Sequence, residues 1–468
     1  MGFAEDVRLV ADELERYRRE SISGAPPVVC QAPMAEIIET LGLRAHIENG
    51  SLAGEALAEF IRRYLDLTVR LHHPGSLAHQ VAVPHPAAAL AMLVEGVTNN
   101  PMAIYEMGPA AASIEAFLVD WLISKVGWAG GAGGVFTHGG SLANLTALVA
   151  ARSRFDGATW TKGCSGDLAL LASADCHYSV ARAAGILGIG EANVYALAVD
   201  PAGGMIPAEI GGVIERARAD GKRPFALVAN ACSTATGVFD PLREIAGICR
   251  NHGLWLHIDG AHGASALLSP RHRWRLDGVE LADSLIWDAH KLLCTPGPCT
   301  AVLMRDATSL DTAFHQDASY LFHSKQQPGF DFIHRTVECT KAALGLRLFA
   351  VLAALGEKGI ADYIDRQFDL THQAYDLLRG IQGLECPAEP QSNILCFRVA
   401  GGDEDQLRVR DKLLAEGDFH LSTAVVGRYR YLRVVITNPA TTLDDMRRLA
   451  TRVLEIAGSG PTGRAGAR

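Results

Sequence analysis

Short apolar runs alternate with helical patterns along the middle of the chain. Six runs of four or five mostly apolar residues are predicted strands: Leu168–Ala172, Val194–Ala198, Phe225–Ala229, Trp255–Ile258, Ser284–Trp287 and Thr300–Met304. Apolar positions at helical spacing lie between several of them, over Ser179–Gly188, Pro207–Ala219 and Pro241–His252. This alternation predicts an α/β fold with a mainly parallel sheet covered by helices, whose site lies at the carboxyl ends of the strands.

The flanking patterns predict two further parts. Residues 1–108 contain helical patterns and no convincing strand, which predicts an N-terminal layer or an arm that packs on a partner subunit. Residues 109–355 are the predicted large domain, which ends in a long helix at Cys339–Leu355. In residues 356–468 helical patterns, the first at Ala361–Ile381, alternate with the strands Ile394–Val399 and Tyr431–Ile436, which predicts a small α+β domain.

Composition and charge narrow the classes of function. The chain has 468 residues, of which 49% are hydrophobic and 20% charged, as in an ordinary soluble α/β protein. A formal net charge of −9 argues against a general nucleic-acid binder, which needs a basic face. The ten cysteines include no C-x-x-C pair, which argues against a disulfide scaffold or a thiolate zinc site. With no leader sequence and no apolar run of ~18 residues, we expect a cytoplasmic protein that does not span a membrane.

Two chemically distinctive residues lie at the ends of predicted strands. Asp259 directly follows the apolar run that ends at Ile258, and Lys291 follows the run that ends at Trp287. A partly desolvated lysine can hold an aldehyde as an imine, and a carboxylate can keep a pyridine nitrogen protonated. Together the two groups indicate a site for pyridoxal 5'-phosphate (PLP).

A glycine turn, THGGS at residues 137–141, opens onto the predicted helix Leu142–Arg154. Its backbone N–H groups and the hydroxyl of Ser141 could hold a phosphate at the helix N-terminus, although glycine there also suits a plain cap. A dinucleotide-binding fingerprint does not fit because its sixth position is Phe136. A nucleophile elbow does not fit because Ala143 replaces its second glycine.

Two histidine patterns leave alternatives open. His177 follows a strand and could stack on an aromatic ring, but Asp175 or Ser179 could equally make the segment a helix cap. His257 and Asp259 would share one face of a strand, and His262 could complete a metal site for a hydrolase. The metal alternative leaves Lys291 without a role, so PLP chemistry is the preferred interpretation.

Six motifs occur in colinear order over roughly residues 70–455. They are THGGSLANLTAL (137–148), HYSVARAAG (177–185), ACSTATGVFDPL (231–242), LHIDGAHGA (256–264), DSLIWDAHKLL (283–293) and YLRVVITNPATT (431–442). In this combination the chain resembles the group II PLP-dependent amino-acid decarboxylases, which include glutamate, cysteine-sulfinate, aromatic amino-acid and diaminobutyrate decarboxylases. The motifs are specific for the family and much less specific for the substrate.

The resemblance implies fold type I of the PLP-dependent transferases, with a seven-stranded, mainly parallel sheet in the large domain. It implies that Lys291 holds PLP as an internal aldimine, that Asp259 pairs with the pyridinium nitrogen, and that Ala261 packs against the ring. His177 matches the stacking histidine of the family. Six further positions match residues near the phosphate, the phenolic oxygen of the ring or the substrate: Gly140, Ser141, Ser233, Thr234, Asp288 and His290.

The implied activity is decarboxylation of an L-amino acid to an amine and carbon dioxide, through an external aldimine and a quinonoid. The implied assembly is a homodimer with the active site at the subunit interface. Arg433 matches an arginine that faces the substrate carboxylate in glutamate decarboxylases, and His79 and Gln80 align approximately with a strip of the pocket. These three residues favour a small polar or acidic substrate, with a small diamino acid as an alternative.

One segment departs from the family pattern. The loop Phe322–Glu338 lacks the tyrosine that usually protonates the carbanion, and Phe332 takes its place when counted back from Cys339. Either another group, such as His334 or His323, donates the proton, or the quinonoid lives longer and reacts with dioxygen. The second case would be oxidative deamination to an aldehyde, as in related aromatic acetaldehyde synthases.

Overall fold

A computed structural model of the chain describes residues 2–314 and 329–459. The chain divides into two compact units. The large unit comprises Gln80–Asp369 and Pro390–Asn393. The small unit comprises the described residues of 1–79, 370–389 and 394–468. The predicted loop Phe322–Glu338 lies partly outside the described residues. His323 is among the residues that are not described.

Helices occur in both units. The α-helices of the described residues are α1 (Phe3–Ser23), α2 (Met34–Thr40), α3 (Leu43–Asn49), α4 (Glu55–Asp66), α5 (Pro86–Thr98), α6 (Pro109–Val126), α7 (Gly140–Phe155), α8 (Thr159–Lys162), α9 (Ser179–Ile186), α10 (Ile210–Ala219), α11 (Leu242–His252), α12 (Thr308–Phe314), α13 (Leu344–Arg379), α14 (Asp403–Glu416) and α15 (Leu443–Gly458). Among these helices, none is long and apolar enough to cross a bilayer.

A seven-stranded sheet forms the centre of the large unit. Its strands are β1 (Gly133–Thr137), β2 (Leu168–Ser173), β3 (Val194–Leu197), β4 (Arg223–Asn230), β5 (Trp255–Asp259), β6 (Ser284–Asp288) and β7 (Thr300–Met304), in the order β1-β7-β6-β5-β4-β2-β3. Only the pairs of β7 with β6 and with β1 are antiparallel. The predicted α/β fold with a mainly parallel seven-stranded sheet is therefore confirmed.

The central strands are apolar throughout because each of their two faces packs on a hydrophobic core. On β6, Leu285 and Trp287 belong to one core, whereas Ile286 belongs to the other. On β7, Leu303 belongs to the same core as Leu285, and Val302 belongs to the same core as Ile286. Successive side chains of a strand point to opposite faces, so a strand buried on both faces shows an unbroken apolar run.

The small unit contains a four-stranded antiparallel sheet. Its strands are β8 (Leu384–Glu385), β9 (Ile394–Val399), β10 (Ser422–Val426) and β11 (Tyr429–Val435), in the order β10-β11-β9-β8. The sequence predicted only β9 and β11, because β8 has two residues and most of β10 is not buried. A hydrophobic core between this sheet and helices α14 and α15 includes Phe397, Leu413 and Leu449.

Two local predictions differ from the structure. Strand β1 was missed because its first two residues are glycines, which are usually depleted in strands. A Cβ atom at Gly134 would lie 2.3 Å from the carbonyl oxygen of Val302 on β7, so the close approach of β7 requires glycine here. The two predicted helices Cys339–Leu355 and Ala361–Ile381 correspond to two helices within α13 (Leu344–Arg379) that meet at a kink at Gly356, where φ is 68°, so only their outer bounds differ from the prediction.

A buried ion pair holds β1 in place. Glu115 of α6 and Lys341 form a salt bridge with side chains 0% and 1% exposed. Glu115 accepts a 2.9 Å hydrogen bond from the backbone nitrogen of Phe136, and Lys341 donates a 2.8 Å bond to the carbonyl oxygen of the same residue. The pair therefore holds both backbone polar groups of a β1 residue that lies just before the glycine turn.

We predict that Lys341→Met lowers the free energy of unfolding by about 3–5 kcal/mol, because it leaves the Glu115 carboxylate buried without its cation. The matched control is Lys358→Met, which removes an exposed pair with Asp362 and should cost less than about 1 kcal/mol. Urea denaturation of both variants measures the difference. Equal losses in the two variants would contradict the structural role of the buried pair.

Candidate active site

A cavity of about 200 Å³ lies at the carboxyl ends of the strands in the large unit. Strands β5 and β6 are parallel neighbours, so the residues that end them, Asp259 and Asp288, reach the same edge of the sheet. Helix α7 begins at this edge with Gly140. The sheet and one helix N-terminus together therefore define the cavity.

The structure brings together most of the residues that the sequence proposed for cofactor binding. Nine of the ten line the cavity: Gly140, Ser141, His177, Thr234, Asp259, Ala261, Asp288, His290 and Lys291. The tenth, Ser233, does not line it and is only 1% exposed, and its hydroxyl has no hydrogen-bond partner among the described residues. Asn144 also lines the cavity, although the sequence did not single it out.

The carboxylate of Asp259 is held from two sides. It accepts a 2.9 Å hydrogen bond at Oδ2 from the side-chain nitrogen of Asn144 and a 3.2 Å bond at Oδ1 from the backbone nitrogen of Ala261. Asp259 is 6% exposed, yet it reaches the cavity. A fixed buried carboxylate at this position can stabilise a cationic ring nitrogen.

The amine of Lys291 lies next to a second carboxylate. Its Nζ is 3.1 Å from Oδ2 of Asp288, which also accepts a 2.6 Å bond at Oδ1 from the hydroxyl of Thr300. The Nε2 atom of His290 is 3.6 Å from the same carboxylate. Asp288 therefore compensates the charge of Lys291, whose side chain is 18% exposed and open to the cavity.

The glycine turn lies directly against Asp288. A Cβ atom added to Gly140 would be 3.2 Å from both oxygens of that carboxylate, so a larger side chain would force the turn and Asp288 apart. Gly139 has a φ of 100°, a conformation that favours glycine. His138, at the start of the turn, contacts Glu338 at 2.5 Å from Nδ1 to Oε1. The backbone N–H groups in the first turn of α7 can therefore hydrogen-bond to an anion that lies against the glycine turn.

His177 has a defined orientation at the cavity wall. Its Nδ1 lies 2.8 Å from the hydroxyl and 3.3 Å from the backbone nitrogen of Ser179. Burial lowers the pKa of His177, with the charge of Lys291 acting in the same direction and Asp259 opposing it. The imidazole therefore favours its neutral form, which suits contact with a flat aromatic ring.

The residues proposed for substrate contact lie in different places. His79 and Arg433 belong to the small unit, and Gln80 belongs to the large unit. Phe332 is 3% exposed and belongs to a hydrophobic core, with its ring centroid 4.9 Å from Nζ of Lys341. His334 lies in the same short helical turn, Phe332–Arg335, and neither Phe332 nor His334 lines the cavity.

The residues of the metal alternative have other partners in the structure. The ring nitrogens of His257 contact Ser284 and Asn144, each at 2.8 Å, and Nε2 of His262 lies 2.7 Å from Oδ1 of Asn393. Within the described residues, no three histidine, cysteine or acidic side chains converge as a set of metal ligands. His257 and Asp259 do share a face of β5, but both of them hydrogen-bond to Asn144.

The cavity fits PLP by its own geometry. It presents a fixed carboxylate, an amine, an imidazole and a helix N-terminus whose glycine leaves room beside Asp288. These are the four kinds of group that a pyridine nitrogen, an aldehyde, a ring face and a phosphate require.

Known proteins are similar to the chain over most of its length. The family model of the pyridoxal-dependent decarboxylase conserved domain matches residues 41–400. An acidic amino acid decarboxylase of Mus musculus is 31% identical over 439 residues, which cover 89% of this chain and 80% of that protein. The cysteine sulfinic acid decarboxylase of Rattus norvegicus is 32% identical over 438 residues, which cover 89% of this chain and 88% of that protein. The crystal structure of mouse CSAD has a TM-score of 0.88 and 28% identity, covering 96% of this chain and 98% of that chain.

We predict that Gly140→Ala weakens PLP binding about tenfold or more, because the new methyl group separates the turn from Asp288. Gly166→Ala is the matched control, since a Cβ atom there meets nothing within 4 Å. Titration of each apo-protein with PLP, followed by absorbance, gives the dissociation constants. A Gly140→Ala protein that binds PLP as tightly as the control would contradict the proposed cradle.

Proposed function

This chain belongs to the pyridoxal-dependent decarboxylase family, and from this we propose that it removes the α-carboxyl group of an L-amino acid with a short acidic side chain. The enzyme is a PLP-dependent carboxy-lyase that acts on an amino acid. The relatives named for acidic amino acids and for cysteine sulfinic acid support the substrate class. One feature of the chain itself supports it as well, the buried guanidinium of Arg433.

Arg433 lies on β11 of the small unit and is 6% exposed. Its Nη1 lies 3.2 Å from the carbonyl oxygen of Ala78 and 3.3 Å from the hydroxyl of Ser422. Partial burial and, secondly, the charge of Arg433 lower the pKa of the neighbouring His79. A guanidinium presents a planar fork of donors that matches a carboxylate or sulfinate, so Arg433 is the group we assign to the acidic side chain of the substrate.

Bound PLP supplies an acceptor for the electron pair that remains at Cα when carbon dioxide leaves. We assign Lys291 as the amine that binds the cofactor covalently and Asp259 as the carboxylate that keeps its ring nitrogen protonated. His177 would lie on the ring face, and the glycine turn with Ser141 would hold the phosphate. Binding that held the leaving carboxylate perpendicular to the ring would select the bond that breaks.

We further propose a homodimer with the active site at the subunit interface. Large apolar side chains are exposed along the first five helices, among them Met34 (78%), Ile47 (84%) and Leu90 (65%). Exposed apolar surface of this kind supports a partner surface on the helical N-terminal segment. All ten cysteines are free thiols, which supports a reducing, cytoplasmic location.

Oxidative deamination to an aldehyde is the second candidate outcome, and it rests on the absence of tyrosine from residues 322–338. Phe332 gives it no support, because its ring is buried in a hydrophobic core. We therefore propose the amine as the product.

We predict that acidic and sulfinic amino acids release carbon dioxide fastest in a panel of the twenty amino acids with sulfinate and diamino analogues. Arg433→Met should lower kcat/KM for the best acidic substrate about 10- to 100-fold, because a charged hydrogen-bonding group is lost. Arg428→Met is the matched control, because this exposed arginine lies in the turn between β10 and β11. A preference for aromatic or diamino acids, or an unchanged Arg433→Met enzyme, would contradict the substrate assignment.

We predict one mole of amine for each mole of carbon dioxide released from that substrate, without ammonia, aldehyde or hydrogen peroxide. Product analysis by chromatography, together with an oxygen electrode, measures all of them in one reaction. The amine yield in air should equal the yield under nitrogen. Aldehyde and peroxide in air would establish the oxidative reaction instead.

A further inference from the structure

A line of side-chain hydrogen bonds runs through the large unit and ends at the cavity, which Asn144 and Asp259 line. The indole nitrogen of Trp255 donates to the hydroxyl of Ser284 at 2.8 Å, and this hydroxyl lies 2.8 Å from Nδ1 of His257. The Nε2 atom of His257 lies 2.8 Å from Oδ1 of Asn144, whose Nδ2 donates to Asp259 at 2.9 Å. Five residues on β5, β6 and α7 thus form one continuous chain of contacts.

The Asp259 end of this line determines its direction. The indole N–H of Trp255 can only donate a hydrogen bond, and the ionised carboxylate of Asp259 can only accept one. Because Nδ2 of Asn144 donates to Asp259, Oδ1 of Asn144 is the atom that faces His257, and it must accept from Nε2–H. A neutral ring then leaves Nδ1 to accept from the hydroxyl of Ser284. The side-chain oxygen of Asn144 is then committed to His257, and its NH₂ group faces Asp259.

The same NH₂ group starts a branch toward the cavity. Asn144 also donates from Nδ2 to the hydroxyl of Ser179 at 2.9 Å, which leaves that hydroxyl to donate to Nδ1 of His177. The backbone N–H of Ser179 points to the same Nδ1 atom. His177 must then carry its proton on Nε2.

Burial keeps the His257 ring of this line in one protonation state. His257 and Ser284 are 0% exposed, and Asn144 is 1% exposed. Burial lowers the pKa of His257 to about 4, so the ring stays neutral near neutral pH and carries a single N–H. A neutral imidazole can relay the direction of a hydrogen-bond chain because one nitrogen accepts while the other donates.

We propose that Asn144 and His257 are positioning residues that fix, from one side-chain amide, both the Asp259 carboxylate and the Ser179 hydroxyl that donates to His177. The inference rests on the proposed contacts of Asp259 and His177 with PLP. Neither Asn144 nor His257 needs to react with the substrate. Their effect reaches the cofactor through the two groups that contact it.

The first test measures the tautomers in the apo-protein, without activity or cofactor. The protein is labelled with ¹⁵N-histidine, and the His177 and His257 signals are assigned by single substitution. Both rings should show a protonated Nε2 and an unprotonated Nδ1, and in Asn144→Leu the His257 ring, which loses the acceptor of its Nε2–H, should no longer hold a single tautomer. An Nδ1-protonated tautomer of either ring in the unsubstituted protein would overturn the proposal.

The second test uses two substitutions of His257 that differ in one hydrogen bond. Glutamine can place its side-chain NH₂ group where Nε2–H lies, whereas phenylalanine fills the space without a donor. His257→Gln should therefore bind PLP within about threefold of the unsubstituted protein, and His257→Phe and Asn144→Leu should bind about tenfold more weakly or worse. The absorption maximum of the bound cofactor should shift only in the last two.

The control is Asn193→Leu, which removes an amide that donates to the carbonyl oxygen of Ile189, outside the line. Circular dichroism of each apo-protein establishes that it is folded. Equal PLP affinity and an equal absorption maximum for His257→Phe and His257→Gln would overturn the role of His257. Failure of the unsubstituted protein to bind PLP would instead contradict the proposed function, and the tautomer measurement would still test the line of hydrogen bonds.

Discussion

The hydrogen bond from Asn144 to Asp259 joins the two elements on which the cavity depends. Asp259 ends strand β5, and Asn144 lies one turn after Gly140, the first residue of α7. Four residues of α-helix span ~6 Å, so the glycine turn and the buried carboxylate are held at a distance that the helix determines. The proposed phosphate and ring-nitrogen contacts of the cofactor therefore depend on one rigid spacing rather than on two independent loops.

The sheet provides the second constraint. Parallel pairing brings the ends of β5 and β6 to one edge, where Asp259 and Asp288 both present carboxylates to the same cavity. The two carboxylates have different partners. An amide and a backbone N–H hold Asp259, whereas Asp288 lies beside the amine of Lys291. The same edge of the sheet thus offers one carboxylate for a cationic ring and a second that compensates the positive charge of a lysine.

Sequence patterns predicted the parts of the fold that depend on neighbouring residues. Strands β2 and β4–β7 were predictable because both of their faces are buried. Asp259 was noticeable because it directly follows such a run, and Lys291 because it lies shortly after one. Asn144 was not predictable, because its partners Asp259 and His257 lie 115 and 113 residues away on another element. The spacing of His257 and Asp259 correctly indicated a shared face, but only the structure shows that the group between them is an amide.

The buried pair of Glu115 and Lys341 has a consequence for how this sequence can vary. Each side chain neutralises the other and also holds one polar group of the Phe136 backbone. Loss of either partner leaves a desolvated charge, whereas joint replacement by neutral groups that keep the backbone bonds avoids it. Positions 115 and 341, separated by 225 intervening residues, are therefore expected to change together along evolutionary lineages, and a designed homologue would have to alter both at once.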